Sequence, residues 1–296
     1  MQLNKTLIKI AQVYKEGGNI MRYLKTITNQ DTNSKEAIAI SYDLQAGSYI
    51  KKAKEDSSYI DEYTTKISEI INKLGYYDTL MEAGVGEATT LCNVFTKLSD
   101  KPKRTYGFDI SWSRIKCAKK YAEELSVNGL FLFIGDMFSM PINDNSIDIV
   151  YTAHSIDANG GNEVECIKEL YRVAKKYLIL IEQSYEFASD EGKQRMKALG
   201  YATDIYNTVL ALGYNIIEYR LLGVSSNPLN PTGIIIIEKN EERQETYELA
   251  CPITLTQLTK ERGAYFSKDS LLVYPIIDDI PCLLPGSAVI ATHYIQ

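Results

Sequence analysis

Apolar positions along the chain follow two alternating rhythms. Ile60, Tyr63, Ile67, Ile70, Ile71 and Leu74 recur at intervals of three and four, which puts them on one face of a helix. Residues 1–75 as a whole read as helical. From Asp78 to about Lys239 short apolar runs take over: TLMEA, TYGFDI, LFLFIGD, IDIVYTA, YLILIEQ, NIIEYRLL and GIIIIEK each have strand length. Helical spacing returns between most of them, as at Val164, Ile167, Leu170, Tyr171 and Ala174. The runs are continuous rather than alternating, so their strands must be covered on both faces. That predicts an α/β fold with a mostly parallel sheet between layers of helices. The last two runs flank GVSSNPLNPT, a connection without helical period, and predict an antiparallel hairpin at the sheet edge.

Beyond the charged NEERQETYE the texture changes to short strands, turn residues and prolines. Too few residues remain for a large separate core. Three units are expected: a helical cap over residues 1–75, an α/β domain over 76–240 and a small β-rich domain over 241–296. YDLQAGSY, between the early helices, reads as loop or helix-cap chemistry and as part of a lid. Its Tyr42, Gln45 and Tyr49 are candidate substrate contacts.

Composition excludes several classes. With 45% hydrophobic and 24% charged residues, the chain is an ordinary globular protein rather than a disordered one. Lys5, Lys9, Gln12 and Lys15 interrupt the N-terminal apolar residues, so neither a signal peptide nor a membrane span is expected, and a cytoplasmic location is. The five cysteines form no C-x-x-C pair, which argues against a disulfide framework or a zinc site. A net charge of −6 argues against a broad nucleic-acid surface; a homo-oligomer stays open. Residues 1–30 carry five basic residues against Glu16 alone, a pattern that fits a solvated face better than a substrate funnel.

Chemistry concentrates at the ends of the predicted strands. The first run leads into Glu82-Ala83-Gly84-Val85-Gly86-Glu87-Ala88, a glycine-rich turn. It lacks the third glycine of the dinucleotide fingerprint, and Glu82 and Glu87 stand where a pyrophosphate would lie. A cationic ligand without phosphate suits such a turn, and S-adenosylmethionine is one. Glu82 fits its ammonium, while Gly84 and Gly86 let the backbone approach closely. Asp109 ends the second strand and can accept from ribose hydroxyls. Asp136 and Met137 follow the third, where they can meet an adenine.

Glu82 to Gly86, Asp109 and GDMFSMPINDNSIDIVYTAH resemble the motifs of class I S-adenosylmethionine-dependent methyltransferases. The resemblance implies a Rossmann-like seven-stranded sheet, with donor contacts at Glu82, Ala83, Gly84, Gly86, Asp109, Ile110, Asp136, Met137 and His154. His154, after the fourth strand, is a candidate base for a hydroxyl acceptor, and Asp157 could orient it. A cofactor contact by His154 is the equal alternative. Asn162 suits an N-cap. Glu182 and Tyr185, after the fifth strand, are further substrate candidates, or helix-start chemistry. The tail, LACPITLTQL to LLVYPIIDDIPCLLP, resembles the zinc-ribbon-like activator domain of RNA and protein methyltransferases, with Thr254 in place of its second cysteine. A packing and recognition module without metal is therefore expected. The function expected from all this is O-methylation of a small molecule or glycan precursor; RNA or protein methylation is the alternative.

Overall fold

A computed structural model describes residues 3–28, 35–242 and 247–295. Five helices come first: α1 (Leu3–Lys15), α2 (Ile20–Thr28), α3 (Lys35–Leu44), α4 (Ser48–Glu55) and α5 (Ser57–Lys73). The first three enclose a small core of Ile10, Ile20, Leu24 and Ala37. The Asp56 side chain caps α5 by accepting from Tyr59 N, and the helix buries Tyr63, Ile67, Ile70 and Ile71, the face that the spacing predicts.

Seven strands and five helices follow: β1 (Thr79–Ala83), α6 (Thr89–Lys97), β2 (Arg104–Asp109), α7 (Trp112–Glu124), β3 (Leu130–Ile134), β4 (Ile147–Ala153), α8 (Glu163–Val173), β5 (Ala174–Gln183), α9 (Asp190–Leu199), α10 (Ile205–Ala211), β6 (Asn215–Leu221) and β7 (Thr232–Glu238). They form one sheet in the order β3-β2-β1-β4-β5-β7-β6. β7 is antiparallel to both of its neighbours, and the strands from β3 to β5 pair in parallel. The hairpin expected at the edge is present, with β7 tucked inside and β6 outermost.

Side chains alternate across the sheet. Leu80, Ile149, Ile179 and Ile236 pack against α5, α6 and α7. Met81, Val150, Leu180 and Ile237 pack against α8 and α10. Both faces are dry, which accounts for the unbroken apolar runs.

The tail adds β8 (Thr259–Glu261), β9 (Ala264–Ser267), β10 (Leu272–Tyr274), β11 (Ile276–Ile277), β12 (Ile280–Pro281) and β13 (Val289–Ile290). β11 and β12 are joined by Asp278 and Asp279, both left-handed, at φ 53° and 59°, which makes a tight hairpin turn. Cys251, Tyr265, Tyr274 and Leu283 enter the second sheet core beside Phe131 and Phe133. Leu283 N donates to Ile134 O at 2.9 Å, so the tail covers the free side of β3. Cys251 Sγ lies 3.2 Å from the Tyr274 hydroxyl. No helix among the described residues is long and apolar enough to cross a membrane.

Candidate active site

The chain runs outward through β1, β2 and β3, then returns to the other side of β1 with β4. Such a reversal opens a crevice at the carboxyl ends of β1 and β4. The glycine-rich turn after β1 and the His154 turn after β4 meet there. The Ser155 hydroxyl donates to Ala83 O at 2.8 Å. A Cβ on Gly84, whose φ is +72°, would come within 2.4 Å of Ser155 Cβ, so only glycine lets the turns touch.

Glu82 is 2% exposed and accepts from the Tyr151 hydroxyl at 2.6 Å. Burial pushes its carboxyl up to about 8, with the Tyr151 hydrogen bond opposing the shift. A cation placed beside it would favour the ionised form. Asp109 accepts from Gly86 N at 3.0 Å and Ser111 N at 2.9 Å, which binds the turn to the end of β2. Burial raises its carboxyl, while Ser111, Arg114 and Gly86 oppose that shift. Asp136 accepts from Phe138 N and pairs with Lys35 Nζ, each at 2.9 Å. The amine foreseen there would share Asp136 with Lys35. Glu82, Gly84, Gly86, Asp109, Ile110, Asp136, Met137 and His154 all line one chamber. Ala83 lies fully buried just beneath it.

The sequence reading missed what closes this chamber. Glu87, 1% exposed, accepts from Gly47 N at 3.0 Å, Tyr49 N at 3.3 Å and Ile50 N at 2.8 Å. It therefore supplies the cap that Gly47, at the N-cap position of α4, has no side chain to provide. Asp43 does the reverse: its carboxylate accepts from Ser113 N at 2.9 Å and from the Ser111 hydroxyl at 2.7 Å at the start of α7. Between these caps the Arg114 guanidinium lies 4.6 Å from the Tyr42 ring centroid and 4.4 Å from that of Tyr49. YDLQAGSY is thus not a plain loop, because α3 runs to Leu44 and α4 starts at Ser48.

A second chamber of about 270 Å³ adjoins the first. Tyr42, Tyr49, Thr89, Thr90, Ala153 and His154 line both. Tyr59, Tyr63, Tyr201, Asp157, Gln183 and Asn230 complete its principal walls. His154 adopts a left-handed φ of 55°, a conformation that costs energy in a residue with a Cβ and that turns its ring into the junction. Its Nδ1 is 3.0 Å from Asp157 Oδ2 and its Nε2 is 3.1 Å from Thr232 Oγ1. Burial raises the Asp157 carboxyl, but hydrogen bonds from His154 and Gln183 outweigh it and hold the group below its usual range.

Glu182, read as a substrate contact, points under this turn instead. It is buried and accepts from Ser155 N at 3.3 Å and Ile156 N at 3.2 Å. Burial and the charge of Asp157 push it well above the ordinary carboxylate range. His154, Asp157 and Glu182 bring potential metal-ligand atoms within 4.8 Å of one another. Their carboxylates accept from backbone and Gln183 donors, and the cluster reads as the support of the turn.

Two other candidates lie apart from both chambers. Gln45 donates to Ser41 Oγ one helical turn back. Tyr185 lies beneath Lys193 and Lys197 on α9. Asn162 holds the N-cap position of α8 without a side-chain hydrogen bond. His293 is exposed in the tail.

Residues 77–249 match the methyltransferase-domain family, more than half of the chain. The chain belongs to that family. It is an S-adenosylmethionine-dependent methyltransferase. Solved structures share the fold at low identity. One is a chain from the complex of the Haloferax volcanii Trm112 methyltransferase activator with a methyltransferase (14% identity, TM-score 0.51, 67% of this chain and 97% of that one). Another is a SAM-dependent methyltransferase from Aquifex aeolicus (17%, TM-score 0.49, 64% and 97%). A third is the magnesium protoporphyrin IX methyltransferase of Synechocystis PCC 6803 with bound SAH (16%, TM-score 0.46, 60% and 84%).

The first chamber of this methyltransferase fits such a donor. Its turn carries the buried carboxyl of Glu82 beside Gly84 and Gly86, and a cation placed there favours its ionised form. Asp109 and Asp136 offer acceptors at the ends of the next two strands.

Proposed function

We propose that this methyltransferase acts on a hydroxyl of a small molecule or glycan precursor, with His154 as the base. The observation that carries the reading is the meeting of two chambers at one imidazole. In this reading Glu82, Ala83, Gly84, Gly86, Asp109, Ile110, Asp136 and Met137 hold the donor, which supplies a methyl group on a sulfonium. Glu82 takes the ammonium end, and its charge is then offset in the dry pocket. The residues around the junction align the acceptor, because in-line displacement from a good leaving group needs positioning above all.

His154 removes the hydroxyl proton. Asp157 at Nδ1 fixes the tautomer that leaves Nε2 as the acceptor. Thr232 now holds Nε2, so the acceptor hydroxyl must take the threonine's place. Tyr42 and Tyr49 belong to both chambers and serve as substrate contacts and lid together. The domain division follows: residues 1–75 as lid, 76–240 as the catalytic unit, and 241–296 as a zinc-ribbon-like brace. The brace role is supported by packing on β3 and α7, where Lys116 pairs with Asp278 at 2.9 Å. That is the donor's side of the sheet, away from the second chamber, which speaks against a tail that selects RNA or protein.

Incubation with radiolabelled donor and fractionated small-molecule and RNA pools tests the reading. Label in a base-stable ether of a small acceptor supports it; label confined to RNA or protein overturns it.

A further inference from the structure

Lys35 is the first residue of α3 and stands 101 positions before Asp136 in the chain, yet its Nζ donates to Asp136 Oδ2 at 2.9 Å. The same ammonium lies 4.4 Å from the centroid of the Phe138 ring. Lys35, Asp136, Met137 and Phe138 all line the first chamber. Both side chains of the pair keep accessible surface, 49% for Lys35 and 13% for Asp136, so a ligand in the chamber can reach them. Phe138 N holds the other oxygen, Oδ1, at 2.9 Å. A half-exposed ion pair adds little to stability. What it presents is a pattern. A carboxylate oxygen has two lone pairs and an ammonium three protons, so after bonding to each other Oδ2 still accepts and Nζ still donates, side by side. Adenine carries the complementary pattern on its edge, because its exocyclic amine donates and the ring nitrogens on either side of it, N1 and N7, accept.

We propose that Lys35 is a binding residue for the base of the donor: Asp136 accepts from the adenine amine while Lys35 Nζ donates to the ring nitrogen next to it. This rests on the reading of the first chamber as the donor site. The Phe138 ring keeps the ammonium in place for that contact through the attraction of a cation to a π face. The start of α3 thereby becomes part of the adenine pocket, and the helical cap adds to donor affinity directly.

Calorimetric binding of S-adenosylhomocysteine and of its 1-deaza and 7-deaza analogues, to wild type and to Lys35→Met, tests the assignment. Each analogue replaces one ring nitrogen by CH and removes a single acceptor. Wild type is expected to bind one of the two about fivefold or more weakly than the parent. Lys35→Met should bind the parent less tightly by a similar factor and should bind that analogue within about twofold of the parent. Full parent affinity in Lys35→Met, no loss with either analogue in wild type, or a loss that persists undiminished in Lys35→Met overturns the role of Lys35. Asp136→Ala separates this from the donor reading. Weakened binding of the parent supports adenine at Asp136 whatever Lys35 does; unchanged binding places the adenine elsewhere and overturns both.

Discussion

Glu87 Oε2 accepts from Ile50 N at 2.8 Å, so a carboxylate in the glycine-rich turn caps the helix whose Tyr49 lines the first chamber. The lid and the turn are therefore one mechanical unit, and a change in either reaches the other.

Replacing Glu87 with alanine leaves the amides of Gly47, Tyr49 and Ile50, at the start of α4, without their acceptor. Loss of a buried charge-assisted cap costs about 1–3 kcal/mol, which exceeds what a short helix retains by itself. Faster hydrogen exchange is expected across residues 47–55, with donor affinity about tenfold weaker. Unchanged exchange there would detach the lid from Glu87.

Glu82 makes donor binding depend on pH. Its folded pKa, about 8, exceeds the ordinary 4.5, so the donor-free protein holds a proton there at pH 7 that the unfolded chain has released. Stability from this group is full below the ordinary value and declines as pH rises to about 8. Ammonium binding requires the charged form. At pH 7 donor binding should therefore release a proton, visible as a calorimetric enthalpy that varies with buffer ionisation heat. Glu82→Gln should remove that dependence; a dependence that persists would place the ammonium elsewhere.

Thr232 occupies the nitrogen assigned to catalysis. His154→Ala is expected to lower kcat by roughly 100-fold or more, with donor affinity changed little. Thr232→Val, which frees Nε2, should retain turnover. If Thr232→Val is as damaging as His154→Ala, the imidazole is a structural post.

Asp109 supports the donor turn through Gly86 N and faces the chamber. Asp109→Asn removes the charge and keeps one acceptor oxygen for the two backbone amides of Gly86 and Ser111, so some stability is lost, while donor binding should weaken by about 1–3 kcal/mol more than that loss. Equal losses in both would make its role purely structural.

Much of the fold was legible because the central strands β1, β4, β5 and β7 are buried on both faces and so spelled as unbroken apolar runs. Glu82, Asp109 and Asp136 were legible for a related reason, since charge at the end of such a run stands out. The lid's fastenings were not. Glu87 meets Ile50 across 37 positions and His154 meets Thr232 across 78, and no local spacing announces such pairs. Gln45 and Tyr185 carried the right chemistry in the right loops, yet Ser41 on one side and Lys193 with Lys197 on the other hold them away.

A crystal structure with S-adenosylhomocysteine tests the two-chamber arrangement most directly. The expected result is adenine near Asp136 and Met137, ribose at Asp109, the ammonium at Glu82 and the thioether sulfur facing the His154 junction. A sulfur directed away from His154, or a ligand bound outside the glycine-rich turn, would contradict it.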